Sequence, residues 1–204
     1  MTGFLDKAYG LDGVDDTRDM YDAWAATYEA EVADNGYATP GRCAEALLAH
    51  MDRADLPILD FGCGTGLSGL ALATAGFTMI DGCDISAEML DVARAKPGLY
   101  RNLHHYDPAN GVPFAPGDYH AVAAIGVIGS GAAPVEVLDQ LIDALDPEAL
   151  LVFSFNDHTL ADPSFEGRLN ARIADGSVEL LFKEYGDHLP GRDMKSNVYV
   201  LKRL

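Results

Sequence analysis

Residues 58–69 read ILDFGCGTGLSG, and the fold follows from this stretch. An apolar pair, Ile58 and Leu59, leads to the carboxylate Asp60 and then to glycines at 62, 64, 66 and 69. Behind them Leu67, Leu70, Ala71 and Leu72 keep helical spacing, with Gly76 placed to cap the helix C-terminus. A strand, a glycine-rich turn and a helix bring main chain close to a ligand. Glycine allows the turn its dihedrals and carries no Cβ to hold the ligand off, while the helix start offers free N–H groups. The stretch predicts a ligand-binding loop.

Two patterns overlap on these residues. Gly64, Gly66 and Gly69 satisfy G-x-G-x-x-G, the dinucleotide fingerprint, with Asp84 about the expected 20 residues on to hold a ribose. Read from two residues earlier, Asp60, Gly62, Gly64 and Gly66 form D-x-G-x-G-x-G, which resembles motif I of the class I methyltransferases that use S-adenosylmethionine (SAM). Asp60 separates the two readings. A carboxylate at the strand end suits the ammonium of a methionine moiety and is repelled by a pyrophosphate.

Working outward, Phe77 to Asp81 has strand character and is followed by GCDISAEML, where Ser86 can cap a helix starting near Ala87. The run from Asp84 to Leu90 resembles the stretch that follows the glycine loop in SAM enzymes. There an acidic residue accepts from both ribose hydroxyls, and the apolar residue after it packs on adenine. By that resemblance Asp84, Ile85 and Met89 bind the cofactor, with Asp81 a rival for the acidic role. Leu99 to His105 reads as a third strand. Asp107, before Pro108, matches a position where family members accept from the adenine amino group. His104 and His105 are strand neighbours that point to opposite faces, so no metal site is expected. Tyr119 to Gly131 reads as a buried central strand, whose end at Gly126 resembles the motif passing under the transferred methyl. Helices are expected over Pro134–Leu145 and Pro163–Ala174, with a fifth strand over Leu150–Phe155 between them. His158, in the loop after that strand, is the candidate general base. The tail from Ser177 gives two β-rich segments around a Gly-Pro turn, a terminal hairpin that an ordinary dinucleotide fold lacks.

N-terminal to the loop, residues 15–34 have helical spacing and place Tyr21, Trp24 and Tyr28 on one face. Many class I methyltransferases carry a similar helix over the methionine end of the cofactor, which makes Trp24 and Tyr28 candidate cofactor contacts. Thr39-Pro40 predicts the start of a second helix.

At 204 residues, with 49% hydrophobic and 23% charged content, the chain is expected to form one domain, with N-terminal helices over 1–53 and a cofactor-binding sheet core over 54–204. No apolar run approaches the ~18 residues of a membrane span, and the N-terminus lacks a signal-peptide pattern; a cytoplasmic location and no membrane partner are expected. Three cysteines, at 43, 63 and 83, suit reduced thiols. Fourteen basic against thirty-two acidic residues give −18, with no basic stripe. A nucleic-acid partner is therefore not expected, and a small-molecule methyl acceptor is.

Taken over most of its length, the chain resembles a class I SAM-dependent methyltransferase, similar to the Williams–Beuren-region methyltransferase-like proteins and their bacterial relatives. That resemblance implies a doubly wound seven-stranded mixed α/β sheet with its last strand antiparallel and an N-terminal helical lid. It also implies SAM held by the loop (Asp60, Gly62, Gly64, Gly66), by Asp84, Ile85 and Met89, and by Asp107, Gly126, Trp24 and Tyr28. Pro147-Glu148-Ala149 departs from the family's Pro-Gly-Gly turn. Two other functions stay open at this point: an NAD(P)-dependent oxidoreductase, and a SAM-binding regulatory protein without turnover.

Overall fold

The computed structural model describes residues 14–24 and 27–204, with side chains from Arg18 onward except that of Tyr21. Helices α1 (Val14–Trp24), α2 (Tyr28–Asp34) and α3 (Thr39–His50) precede the sheet. Then come β1 (Ile58–Phe61), α4 (Leu67–Ala75), β2 (Ile80–Asp84), α5 (Ala87–Arg94), β3 (Leu103–His105) and β4 (Ala121–Ala124). The chain continues through α6 (Glu136–Ala144), β5 (Leu150–Asn156), α7 (Asp157–Leu160), α8 (Pro163–Ala174), β6 (Val178–Leu189) and β7 (Met194–Arg203).

The seven strands lie in the order β3-β2-β1-β4-β5-β7-β6. Strands β1 to β5 pair in parallel, and β7 runs antiparallel to both β5 and β6. This is the expected doubly wound sheet. Alternating side chains explain its two covered faces. Ile58, Ala121, Ala123 and Val152 pack with Cys43 and Leu47 of α3 and Leu72 of α4. Their neighbours Leu59, Val122, Leu151 and Phe153 pack on the other side with Leu138 and Leu141 of α6 and Phe165 of α8. Strand order reverses between β1 and β4, and the crevice above that point is where open α/β sheets bind ligands.

Several boundaries differ from the sequence expectation. The central strand stops at Ala124, because Gly126 turns away at φ +72° with its N–H bonded to Ser154 Oγ at 3.1 Å. The third strand begins at Leu103, because Tyr100 turns inward and its hydroxyl donates to Asp60 Oδ2 at 2.7 Å. The expected single N-terminal helix is two: Trp24 ends α1 and Tyr28 opens α2, with their rings edge to face at 4.7 Å. Tyr21, expected on the same face, has a side chain outside the described residues. Glu148, in the turn into β5, adopts the left-handed φ of +72° without being a glycine. The three cysteines are buried free thiols. Among the described residues, no helix is long and apolar enough to cross a membrane.

Candidate functional site: a cofactor cavity and its neighbour

Above the carboxyl ends of β1, β2 and β4 lies a cavity of about 140 Å³. Its floor is the turn from Gly62 to Thr65, and its walls include Tyr28, Asp84, Ile85, Met89 and Tyr106. Gly62 and Gly64 stand at φ +67° and +52°, in the left-handed region that L side chains avoid. A Cβ on Gly62 would come within 2.5 Å of Val127 Cγ2, whereas one on Gly64 would meet nothing within 4 Å. The first glycine is needed for packing and conformation together, the second for conformation alone. Gly66 (φ +96°) is the N-cap of α4 and leaves the cavity lining to its neighbours. A Cβ there would press on Leu99 and Tyr100 at 3.3 Å. Gly69 likewise leaves room for the Tyr100 ring.

Asp84 ties this turn to the next. Its Oδ2 accepts from Gly64 N at 2.8 Å and its Oδ1 from Ser86 N at 2.9 Å. Each oxygen thus accepts from main chain, and the carboxylate as a whole keeps capacity for a further donor from the cavity. Burial raises the carboxyl's pKa; the main-chain N–H groups of Ser86, Gly64 and Ile85 oppose that, and the Asp22 carboxylate adds to it. The rival Asp81 lies outside the cavity, paired with Arg101 and with the Tyr119 hydroxyl. Ser86 Oγ caps Met89 N and bonds the Asp22 carboxylate, so α1 is fastened to the start of α5. Lys96 Nζ donates to Glu29 and, at 2.8 Å, to Thr65 O, fastening α2 to the glycine turn.

The other sequence-named residues fall less directly. Asp60 is fully buried under the turn and does not line the cavity. Its Oδ2 accepts from Ser68 Oγ and Tyr100 OH, both at 2.7 Å, and its Oδ1 has no hydrogen-bond partner. Burial, only partly offset by those two hydroxyls, raises its pKa to about 6. The expected direct contact with an ammonium is therefore corrected: the strand buries this carboxylate, and it braces the loop from below. Asp107 is exposed and caps its own turn through Ala109 N at 2.9 Å, while Pro108 beside it lines the cavity. Trp24 is turned from this cavity into the neighbouring one, and Gly126 lines both. His158 is exposed and lines neither, because Asn156 caps α7 and turns it outward.

The neighbouring cavity, about 70 Å³, is lined by Trp24, Tyr37, Gly126, Ser154, Asn156 and His188 among others. Sequence reading missed Tyr37, Tyr106 and His188. Tyr106 adjoins the quoted Asp107, but Tyr37 and His188 carried no motif. His188 is held neutral, its pKa pushed down to about 4 chiefly by burial. Burial also drives the pKa of the Cys63 thiol at the cavity floor well up, which favours its protonated form.

A methyltransferase-domain family model matches residues 58–148. Methyltransferase-like protein 27 of Homo sapiens is 31% identical over 140 residues, 66% of this chain and 56% of that protein. The probable 18S rRNA (guanine-N(7))-methyltransferase of Dictyostelium discoideum is 41% identical over 86 residues, 42% of this chain and 29% of that protein. The chain thus spans little more than half of the first relative and under a third of the second. Among solved structures, a magnesium protoporphyrin IX methyltransferase from Synechocystis with bound SAM superposes with TM-score 0.59 at 19% identity, covering 98% of this chain and 90% of that one. A putative methyltransferase complexed with the Haloferax volcanii Trm112 activator gives 0.67 at 18% identity, covering 92% and 97%.

One expectation falls with these findings. Four relatives named as 18S rRNA guanine-N(7) methyltransferases are 39–41% identical over 71–88 residues. Excluding nucleic acid, and with it assigning a small-molecule acceptor, does not stand. A net charge of −18 is a sum over the chain and does not measure the field at one groove. In sheet order and terminal hairpin the chain has the fold of the class I SAM-dependent methyltransferases, and residues 58–148 match the methyltransferase-domain family model.

Proposed function

We propose that this protein transfers the sulfonium methyl of SAM to an acceptor seated over the smaller cavity. The observation that carries the reading is the Asp84 carboxylate, held at the cavity wall by the main-chain N–H groups of Gly64 and Ser86. In this reading Asp84 holds the ribose, Ile85 and Met89 sandwich the adenine, and the turn from Gly62 to Thr65 faces the methionine end. Tyr28 and Gly126 stand where the larger cavity meets the smaller one. SAM brings an activated leaving group, so the chain's own work is alignment and exclusion of water. The fastened helices α1 and α2 serve that exclusion.

A nucleobase acceptor is the more specific reading, and the four rRNA-methyltransferase relatives favour it. Guanine N7 carries a lone pair and no proton. Its methylation needs no general base, in keeping with a neutral His188 beside the site. The test is a cell extract supplied with methyl-labelled SAM and then separated into RNA and low-molecular-weight fractions. Label in RNA that is lost on ribonuclease treatment supports the nucleobase. Label confined to the small fraction overturns it while leaving methyl transfer intact. Tight binding of S-adenosylhomocysteine (SAH) with no label in any fraction would mean a SAM-binding protein without turnover.

A further inference from the structure

The smaller cavity contains the one buried histidine among the described residues, and its neighbours fix where the ring's proton sits. His188 Nδ1 lies 2.8 Å from Thr39 Oγ1, which lies 2.9 Å from Ser196 Oγ. Arg42 Nη1 donates to that serine oxygen at 3.1 Å. A guanidinium can only donate, so the Ser196 proton has one place to go: Thr39 Oγ1. Ser196 and Thr39 are fully buried, and any other arrangement leaves a hydroxyl proton unpaired away from water. Thr39 must then give its own proton to His188 Nδ1. The imidazole therefore carries its hydrogen on Nε2. With Nδ1 turned toward Thr39, Nε2 is on the edge left to the cavity. The chain ends on a cation that cannot take a proton onward, so His188 is a donor and no proton exit.

A second donor is fixed in the same place. Asn156 Oδ1 accepts from Thr159 N at 3.0 Å and from Thr159 Oγ1 at 3.1 Å, which assigns the amide and leaves its Nδ2 hydrogens to the cavity that Asn156 lines. Asn156 pairs with Ser196 in the sheet, and Ser196 pairs in turn with Gly186, two residues before His188. The two donors thus sit at one end of the sheet on either side of β7.

Resting on the methyl-transfer reading, we infer that the smaller cavity is a donor pocket. In it His188 Nε2–H and Asn156 Nδ2–H₂ receive a carbonyl-type oxygen of the methyl acceptor, with Thr39, Ser196 and Arg42 as positioning residues that hold the imidazole tautomer. A nucleobase carbonyl and the carbonyl of a small metabolite share this chemistry.

Two measurements test it. Nitrogen-15 NMR of the histidine-labelled protein is expected to show His188 as the Nε2–H tautomer. Thr39→Val should loosen that preference and Thr39→Ser should restore it. In extract supplied with methyl-labelled SAM, His188→Gln, whose amide N–H replaces Nε2–H, should keep the labelled product. His188→Phe should lose about tenfold, one hydrogen bond's worth, with SAH affinity unchanged. The fraction that takes the label, RNA or small molecule, identifies which carbonyl is bound. An Nδ1–H spectrum, or undiminished labelling by His188→Phe, overturns the inference. If the wild type labels nothing, methyl transfer itself is what fails, and the imidazole spectrum alone then decides.

Discussion

The two cavities share Tyr28, Tyr37, Gly126 and Ala132 in their walls, yet they are held by different means. The larger is fixed by main chain: two N–H groups from Gly64 and Ser86 clamp one carboxylate, in bonds joining residues 20 and 2 positions apart. The smaller is fixed by side chains, in hydrogen bonds joining residues 149 and 157 positions apart. A main-chain cradle is sensitive to any added Cβ or altered turn. A side-chain relay is sensitive to single atoms, and its groups can be exchanged for others that keep the donor pattern. The difference suits a constant ligand beside one that varies between relatives.

The comparison breaks first at Gly62. Gly62→Ala combines a left-handed φ with a Cβ forced to 2.5 Å from Val127. Strain and overpacking together should cost about 2–5 kcal/mol, with a loss of SAH affinity of about a hundredfold if Val127 pushes the turn aside. Calorimetric titration with SAH reads this directly. An unchanged affinity would mean that the turn is not the cradle.

The buried titratable group under each cavity should respond to pH with opposite sign. Asp60 has its folded pKa raised to about 6, so its contribution to stability is present at low pH and is lost as pH rises through 6. Between pH 4 and 7, Asp60→Asn should gain on the wild type by on the order of 3 kcal/mol. His188 has its folded pKa lowered to about 4, so its contribution is full above 6.5 and is lost as pH falls towards 4. Over that range His188→Gln should gain on the wild type as pH falls, again by on the order of 3 kcal/mol. Urea unfolding of the three proteins across pH checks both slopes; slopes of the same sign would contradict the two burial environments.

Asp84→Asn comes next in size. It replaces an acceptor of two N–H bonds with a group that must turn its amide toward one of them, so SAH affinity should fall by about 2 kcal/mol, roughly thirtyfold. The smallest effect is expected at Gly64→Ala. The position is strained at φ +52° but open, so the variant should cost about 1 kcal/mol in thermal stability. A loss as large as that of Gly62→Ala would show that a ligand or a neighbour already fills this space.

The same contrast explains what was legible in the sequence. The floor and one wall of the larger cavity are contiguous in sequence, in one readable pattern from Gly62 to Met89, while Tyr28, Tyr106 and Gly126 come from outside it. Strand, glycines and the acid at 84 each carry their local signature. Even there Asp60 was read in the wrong orientation, since which face of β1 it takes depends on helices packed from elsewhere. Gly66 and Gly69 were read as ligand contacts or spacing, while their space is taken by Leu99 and Tyr100, some thirty residues on. The hairpin was visible as two β-rich segments, but its insertion of β7 between β5 and β6 is what carries His188 to Thr39. No local pattern encodes that meeting. His158 looked better placed only because it follows a strand end, where sequence proximity stood in for geometry. Net charge misled for a similar reason, since a total says nothing about where the charges lie.

The most direct test of the central claim is a crystal structure of the protein grown with SAH. It should show the two ribose hydroxyls on the two oxygens of Asp84, with the Gly64 and Ser86 N–H bonds retained and the turn from Gly62 to Thr65 against the methionine end. A nucleoside bound elsewhere, or an Asp84 carboxylate turned away from the sugar, would contradict it.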